Sequence, residues 1–125
     1  MPSTSITDVR TIGVNVTNQD DAIGFYVDTL GFEKRLDAPI SPTMRWIEVA
    51  PPGAATSIAL NANDAVTVAT DTGIRFTVPD AVVEHAAMSE RGVDVGDLMR
   101  WDGVPAMYTF DDPDGNRFYI VEEFR

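Results

Sequence analysis

The chain has 125 residues, of which 44% are hydrophobic, and a formal net charge of −11. This length fits one domain with its own core. The acidic excess argues against nucleic acids and anionic membranes as partners, because both attract Lys and Arg. The lack of cysteine excludes disulfides and thiolate chemistry. The N-terminus does not resemble a signal peptide, and no apolar stretch reaches the roughly 18 residues of a membrane helix. We therefore expect a cytoplasmic protein.

The first half of the chain predicts a strand, a helix and three further strands. Residues 9–16 alternate between apolar and small or polar side chains, which is typical of a strand with one face on a core. Apolar residues at helical spacing over 21–30, followed by Gly31, predict a helix and its end. The three strands are predicted at 32–38, 44–50 and 56–62.

The second half repeats this order after a predicted connection over 63–72. A strand is predicted at 73–78, and a helix begins at Pro79 or Asp80 and ends at Gly92. A hairpin of strands 104–110 and 116–123 follows, joined by the turn "DDPDG". The order β-α-β-β-β thus occurs twice within a single domain of residues 1–125. The two modules cover about 6–62 and about 73–124. Their helix-free faces, rich in small and polar residues, are expected to form a concave surface.

Three sequence stretches resemble the vicinal oxygen chelate superfamily, which includes glyoxalase I, bleomycin-resistance proteins and extradiol dioxygenases. They are "IGVNVTNQDDAIGFYVDTLGF" (12–32), "FTVPD" (76–80) and "FDDPDGN" (110–116). The resemblance implies an α+β fold of two βαβββ modules whose mixed sheets curl around a shared cavity. It also implies a homodimer.

The resemblance further implies where metal ligands would stand in metal-using relatives. Carried over position by position, the four ligands fall on Thr11, Ala59, Gly73 and Tyr119. These side chains are poor or impossible ligands for a divalent ion. The only histidine, His85, lies on the predicted second helix, away from the strands. We therefore predict a protein that keeps the family cavity, holds no metal and uses no cofactor.

The candidate ligand-binding residues alternate with the predicted core face or belong to the middle strands. They are Trp46, Trp101, Arg75, Arg117, Tyr119, Met107, Asn15 and Asn61. The two tryptophans, each preceded by an arginine, could sandwich a flat ligand. Tryptophans in strands are also typical of a core or dimer interface, and arginines of surface ion pairs. Tyr119 is a weak candidate for a general acid, since an ordinary tyrosine has a pKa of about 10.

These observations leave several functions open. The first is a metal-free protein that binds a small apolar or aromatic molecule, such as an antibiotic or toxin that it sequesters. The alternative is a glyoxalase-like lyase or dioxygenase-type enzyme, which the resemblance favours and the ligand positions oppose. A metal-free enzyme that uses Tyr119 as an acid is the third. The sequence leaves open whether the cavity lies within one chain or needs a partner, and which faces the tryptophans occupy.

Overall fold

The computed structural model describes residues 3–62 and 68–124, which form two successive modules. The first contains β1 (Thr11–Asn15), α1 (Gln19–Ile23, continued by a π-helical turn over Gly24–Thr29), β2 (Glu33–Ser41), β3 (Met44–Ala50) and β4 (Ser57–Asn61). The second contains β5 (Asp71–Val78), α2 (Ala81–Glu90), β6 (Asp94–Val95), β7 (Met99–Trp101), β8 (Val104–Asp111) and β9 (Arg117–Glu122). Neither helix in these ranges is long and apolar enough to cross a membrane.

Each module forms one mixed sheet with the same strand order. The first sheet runs β1-β4-β3-β2, and the second runs β5-β9-β8-β6, with β7 also paired to β8. In both sheets the first and last strands of the module are parallel, and the other pairs are antiparallel. The predicted α+β class with two βαβββ modules is confirmed. The second strand of the second module is divided into β6 and β7.

Most predicted elements are present, with shifted ends. The predicted strand 44–50 is β3. The helix predicted over 21–30 begins at Gln19, because Asn18 caps it by accepting the Asp21 N–H at 2.9 Å. Strand β5 begins at Asp71, inside the predicted connection, because it already pairs with β9 there. Residues 63–67 of that connection lie outside the described residues.

The two modules share one apolar core. The inner faces of both sheets and side chains of both helices belong to the same buried cluster. Tyr26 lies 6.0 Å from Phe118 between ring centroids, and Phe32 lies 5.4 Å from Phe76. These edge-to-face contacts join the first module to the second sheet. The inner faces therefore point toward each other, and the opposite face of each sheet points away from the core.

We call these opposite faces the outer faces. The outer face of the first sheet carries Thr11, Gly13, Asn15, Trp46, Glu48, Ser57, Ala59 and Asn61. The outer face of the second sheet carries Arg75, Thr77, Met107, Thr109, Arg117, Tyr119 and Val121. Alternation along the strands and direct cross-strand pairing place these residues together.

The turn between β8 and β9 fastens the modules to each other. Buried Asp112 accepts the Tyr26 hydroxyl at 2.7 Å and the Asn116 side-chain amide at 3.0 Å. The amide of Asn116 also donates to the Asn15 carbonyl at 2.8 Å. Burial and the neighbouring Asp112 carboxylate raise the pKa of Tyr26. The "DPDGN" stretch therefore has a structural role between the modules.

Candidate functional site

The four positions that correspond to family metal ligands do not form a donor set. Ala59 is 2% exposed and offers no polar side-chain atom. The Thr11 hydroxyl donates to the Ser57 carbonyl at 3.3 Å. The Tyr119 hydroxyl donates to a carboxylate oxygen of Asp71 at 2.6 Å. Among residues 3–62 and 68–124, no group of three or more His, Cys, Asp or Glu side chains could hold a metal ion. These residues do not fit the metal of the family's enzymes.

A hydrogen-bonded cluster on the first outer face centres on Glu48, which is only 4% exposed. One carboxylate oxygen accepts the Trp46 indole N–H at 2.7 Å and an Arg10 N–H at 3.1 Å. The other accepts the Ser57 hydroxyl at 2.6 Å. The hydrogen bonds from Ser57 and Trp46, together with Arg10, lower the pKa of Glu48 against the effect of burial. An ionised side chain therefore fixes the indole of Trp46, which is 37% exposed.

Two small residues, Ala59 and Gly13, lie beside this cluster on the same face of the sheet. Ala59 lies directly opposite Glu48 on one side and Gly13 on the other. A Cβ atom built on Gly13 would stand 2.9 Å from the side-chain nitrogen of Asn61. The Asn61 amide therefore lies over Gly13, and Asn15 is the direct cross-strand neighbour of Asn61. Three predicted site residues, Trp46, Asn15 and Asn61, share this face.

The second outer face carries charged groups that are already paired. The Arg75 guanidinium lies 4.8 Å from the Tyr119 ring centroid and donates to the Gly73 carbonyl at 2.7 Å. Arg117 pairs with Asp111 at 3.0 Å. The hydrogen bond to Asp71 is the largest cause that raises the pKa of Tyr119. A tyrosine with a raised pKa, whose proton is held by a carboxylate, is poorly suited to general acid catalysis.

The two tryptophans occupy different settings. Met107 lies on the second outer face, opposite Val121 and Met99. A register shift in β7 then places Trp101, which is 54% exposed, opposite Val104. No ring contact joins Trp46 to Trp101 within the described part of the chain. Trp46 lies on β3 of the first sheet and Trp101 on β7 of the second, so the two tryptophans belong to different sheets.

An open cleft of about 740 Å³ lies between the modules. Its apolar floor is formed by Ile12 and Ile58 of the first sheet and Ile74 and Phe76 of the second. The volume lies within the range of about 300–1,000 Å³ that small-molecule sites occupy. Of the predicted ligand-binding residues, only Arg75 lines it. The cleft is therefore a second place where an apolar molecule could bind.

Sequence reasoning did not single out Glu48 or Arg10. The sequence signal that could have identified Glu48 is alternation. Trp46 and Glu48 are two residues apart on a strand, so they share a face. Ser57 reaches Glu48 from the adjacent antiparallel strand β4. Arg10 comes from a distant part of the chain, and the parallel pairing of β1 with β4 brings it to Glu48.

Comparison with known proteins gives consistent matches over nearly the whole chain. The model of the Glyoxalase/Bleomycin resistance protein/Dioxygenase superfamily matches residues 9–120. The uncharacterized protein YetH of Bacillus subtilis (strain 168) is 30% identical over 122 residues, covering 94% of this chain and 99% of YetH. A superfamily member from Sphaerobacter thermophilus DSM 20745 is 36% identical, with a TM-score of 0.89 over 96% of this chain and all of that one. The antibiotic binding protein TnmS3 from Streptomyces sp. CB03234 is 31% identical, with a TM-score of 0.87 over 98% of this chain and all of that one. The chain therefore belongs to the Glyoxalase/Bleomycin resistance protein/Dioxygenase superfamily.

Proposed function

We propose that this protein is a metal-free binding protein that takes a flat aromatic or apolar small molecule on the outer face of its first sheet. The observation that carries the proposal is the partly exposed indole of Trp46, held by the buried carboxylate of Glu48 on the face that also exposes Gly13. A fixed aromatic ring next to small residues offers a stacking surface without an ordering cost.

The comparison proteins support binding rather than catalysis. TnmS3 is an antibiotic binding protein, and its likeness to this chain extends over 98% of the residues. Sequestration of an antibiotic or toxin is therefore the proposed role. A lyase or dioxygenase of this superfamily would need a metal, and Thr11, Ala59, Gly73 and Tyr119 do not provide ligands for one.

We further propose that a homodimer completes the site. In one chain Trp46, Gly13 and Asn61 of the first outer face stay at least partly exposed, and the second outer face, with Met107, Arg75, Arg117 and Tyr119, points away from them. If the second outer face of a partner lies over Trp46, these side chains surround the same ligand. We expect a ligand that stacks on Trp46 and is enclosed by both protomers to bind with micromolar affinity, which is a binding free energy of about −8 kcal/mol.

The test is a titration with planar apolar compounds, followed by fluorescence in a Trp101→Phe background so that Trp46 is the only tryptophan. We expect saturable quenching. Calorimetry should show that Trp46→Ala removes binding. Ala54→Trp, which narrows the cleft between the modules, should leave binding unchanged. Binding that is lost only with Ala54→Trp would move the site to the cleft.

Metal content separates this proposal from the enzyme alternative. After incubation with nickel, zinc, iron(II) or manganese and removal of free ions, elemental mass spectrometry should find almost no metal per chain. One tightly held metal, together with turnover that a chelator abolishes, would support a glyoxalase-like or dioxygenase-like enzyme and overturn the proposal.

A further inference from the structure

The first outer face carries the primary amide of Asn61. The side-chain amide of Asn61 makes no hydrogen bond within residues 3–62 and 68–124, although Asn61 is half-buried. Asn61 is the last residue of β4. Along this face it follows Ala59, which pairs with Glu48. The regular pairing of β3 with β4 ends at that pair, and Trp46 and Asn61 are the next residues on the same face of their two strands.

Gly13 keeps this amide in place. The φ angle of Gly13 is not in the left-handed region, so the backbone there does not require glycine. A Cβ atom at this position would instead meet the Asn61 side-chain nitrogen at 2.9 Å. The lack of a side chain at Gly13 is therefore what lets the amide lie flat on the sheet.

The charged groups of the cluster beside the amide already have hydrogen-bond partners. Glu48 accepts three donors, from Trp46, Ser57 and Arg10. A charged ligand would find no unpaired opposite charge in this cluster, and it would pay the cost of desolvation. An uncharged ligand could instead stack on Trp46 and pair its polar edge with Asn61, which offers one acceptor and two donors.

We propose that this face selects an uncharged planar ring that carries a carbonyl and an adjacent N–H or O–H on one edge. Asn61 is the specificity-determining residue, and Gly13 is a positioning residue that acts through Asn61. This inference rests on the proposed function and specifies its ligand class. A buried pair of hydrogen bonds discriminates strongly between ligands of equal shape, because the ligand without polar atoms leaves the amide unpaired.

The test compares 2-quinolone with naphthalene, which have the same two-ring outline. The lactam of 2-quinolone presents C=O and N–H side by side, and naphthalene presents neither. Affinities are measured by calorimetry in the Trp101→Phe protein. In that protein Trp46 gives the only indole N–H resonance in the NMR spectrum. A shift of this resonance on titration reports binding at this face. We expect 2-quinolone to bind about tenfold more tightly than naphthalene, and N-methyl-2-quinolone to lose most of this preference.

Two substitutions assign the preference to these residues. Asn61→Leu should bring the affinity for 2-quinolone down to that for naphthalene. Gly13→Ala should also bring the affinity for 2-quinolone down to that for naphthalene, without lowering the unfolding midpoint. In the Asn61→Leu background, Gly13→Ala should cause no further loss of affinity. Gly24→Ala is the matched control, because a Cβ atom there meets nothing within 4 Å, and it should keep the preference.

The outcomes separate the two proposals. If both compounds shift the Trp46 resonance with equal affinity, the selection by Asn61 is wrong and the binding function stands. If neither compound binds, the proposed function at this face fails and the inference fails with it. A preference that survives Asn61→Leu also overturns the inference.

Discussion

Glu48 combines a charge with near-complete burial on a face that is otherwise composed of small and aromatic side chains. Its three hydrogen-bond donors compensate the loss of water around the carboxylate. The hydrogen bond from Trp46 restricts the indole to one orientation. The buried charge therefore organises the surface that we propose for ligand binding.

We expect Glu48→Gln to lower the free energy of unfolding by about 1–3 kcal/mol near neutral pH, because a neutral amide replaces a charged acceptor. The hydrogen bonds from Ser57 and Trp46 lower the pKa of Glu48 in the folded protein. Its stabilisation is therefore complete above the unfolded pKa of about 4.3 and is lost as the pH falls through the folded value. Urea unfolding at several pH values should show the two proteins converging in acid. A difference that persists below the folded pKa contradicts this account.

At the residue scale, alternation in the sequence was informative only where a strand is regular. Asn15 and Asn61 were predicted to line the cavity, and the face of Trp46 was left open; the structure places all three residues on one outer face. Trp101 was paired with Trp46 by analogy between the halves. A register shift between Met99 and Trp101 changes its cross-strand partner, and such shifts leave no clear pattern in one sequence.

At the scale of elements, Gln19 spans the place where β3 and β4 separate. The regular pairing of these strands ends at Glu48 and Ala59. Beyond that point the Gln19 side-chain amide donates to the Arg45 carbonyl at 2.9 Å and to the Leu60 carbonyl at 2.8 Å. The first turn of α1 thereby replaces the missing strand contact and sets the gap between Trp46 and Asn61.

We expect Gln19→Met to destabilise the protein by about 1–3 kcal/mol, because two carbonyls lose their donor. It should also weaken ligand binding, since the strands that carry Trp46 and Asn61 lose their spacer. The control is Asn18→Ala, which removes the cap of the same helix at a cost of about 1 kcal/mol and should leave ligand affinity unchanged. Equal affinity in both variants would show that Gln19 does not shape the site.

The order of elements was predictable because each has its own local signal. Strand β3 and both helices follow from periodicity and from capping or terminating residues. Strands β6 and β7, with two and three residues, are too short for any periodicity. The early start of β5 depends on its pairing with β9, which is a tertiary effect that no local pattern reports.

At the scale of the whole molecule, the shared core decides how a site can be assembled. Because the inner faces of both sheets meet in one cluster, the two outer faces point away from each other within one chain. The resemblance implied two modules and a cavity, and the structure divides the candidate ligand-binding residues between two separate outer faces. This geometry is the reason for proposing a homodimer rather than a site within one chain.

We expect light scattering to give about twice the chain mass of 13.6 kDa. Met107→Glu places a charge on the second outer face, where the partner's first sheet would lie, and should yield a monomer that no longer binds planar ligands. Val83→Glu is the control, because Val83 is 63% exposed on α2 and lies on neither outer face; this variant should remain dimeric and bind normally. A wild-type monomer that binds a planar ligand with full affinity would show that one outer face is sufficient, and the cleft between the modules would then need testing as the enclosing site.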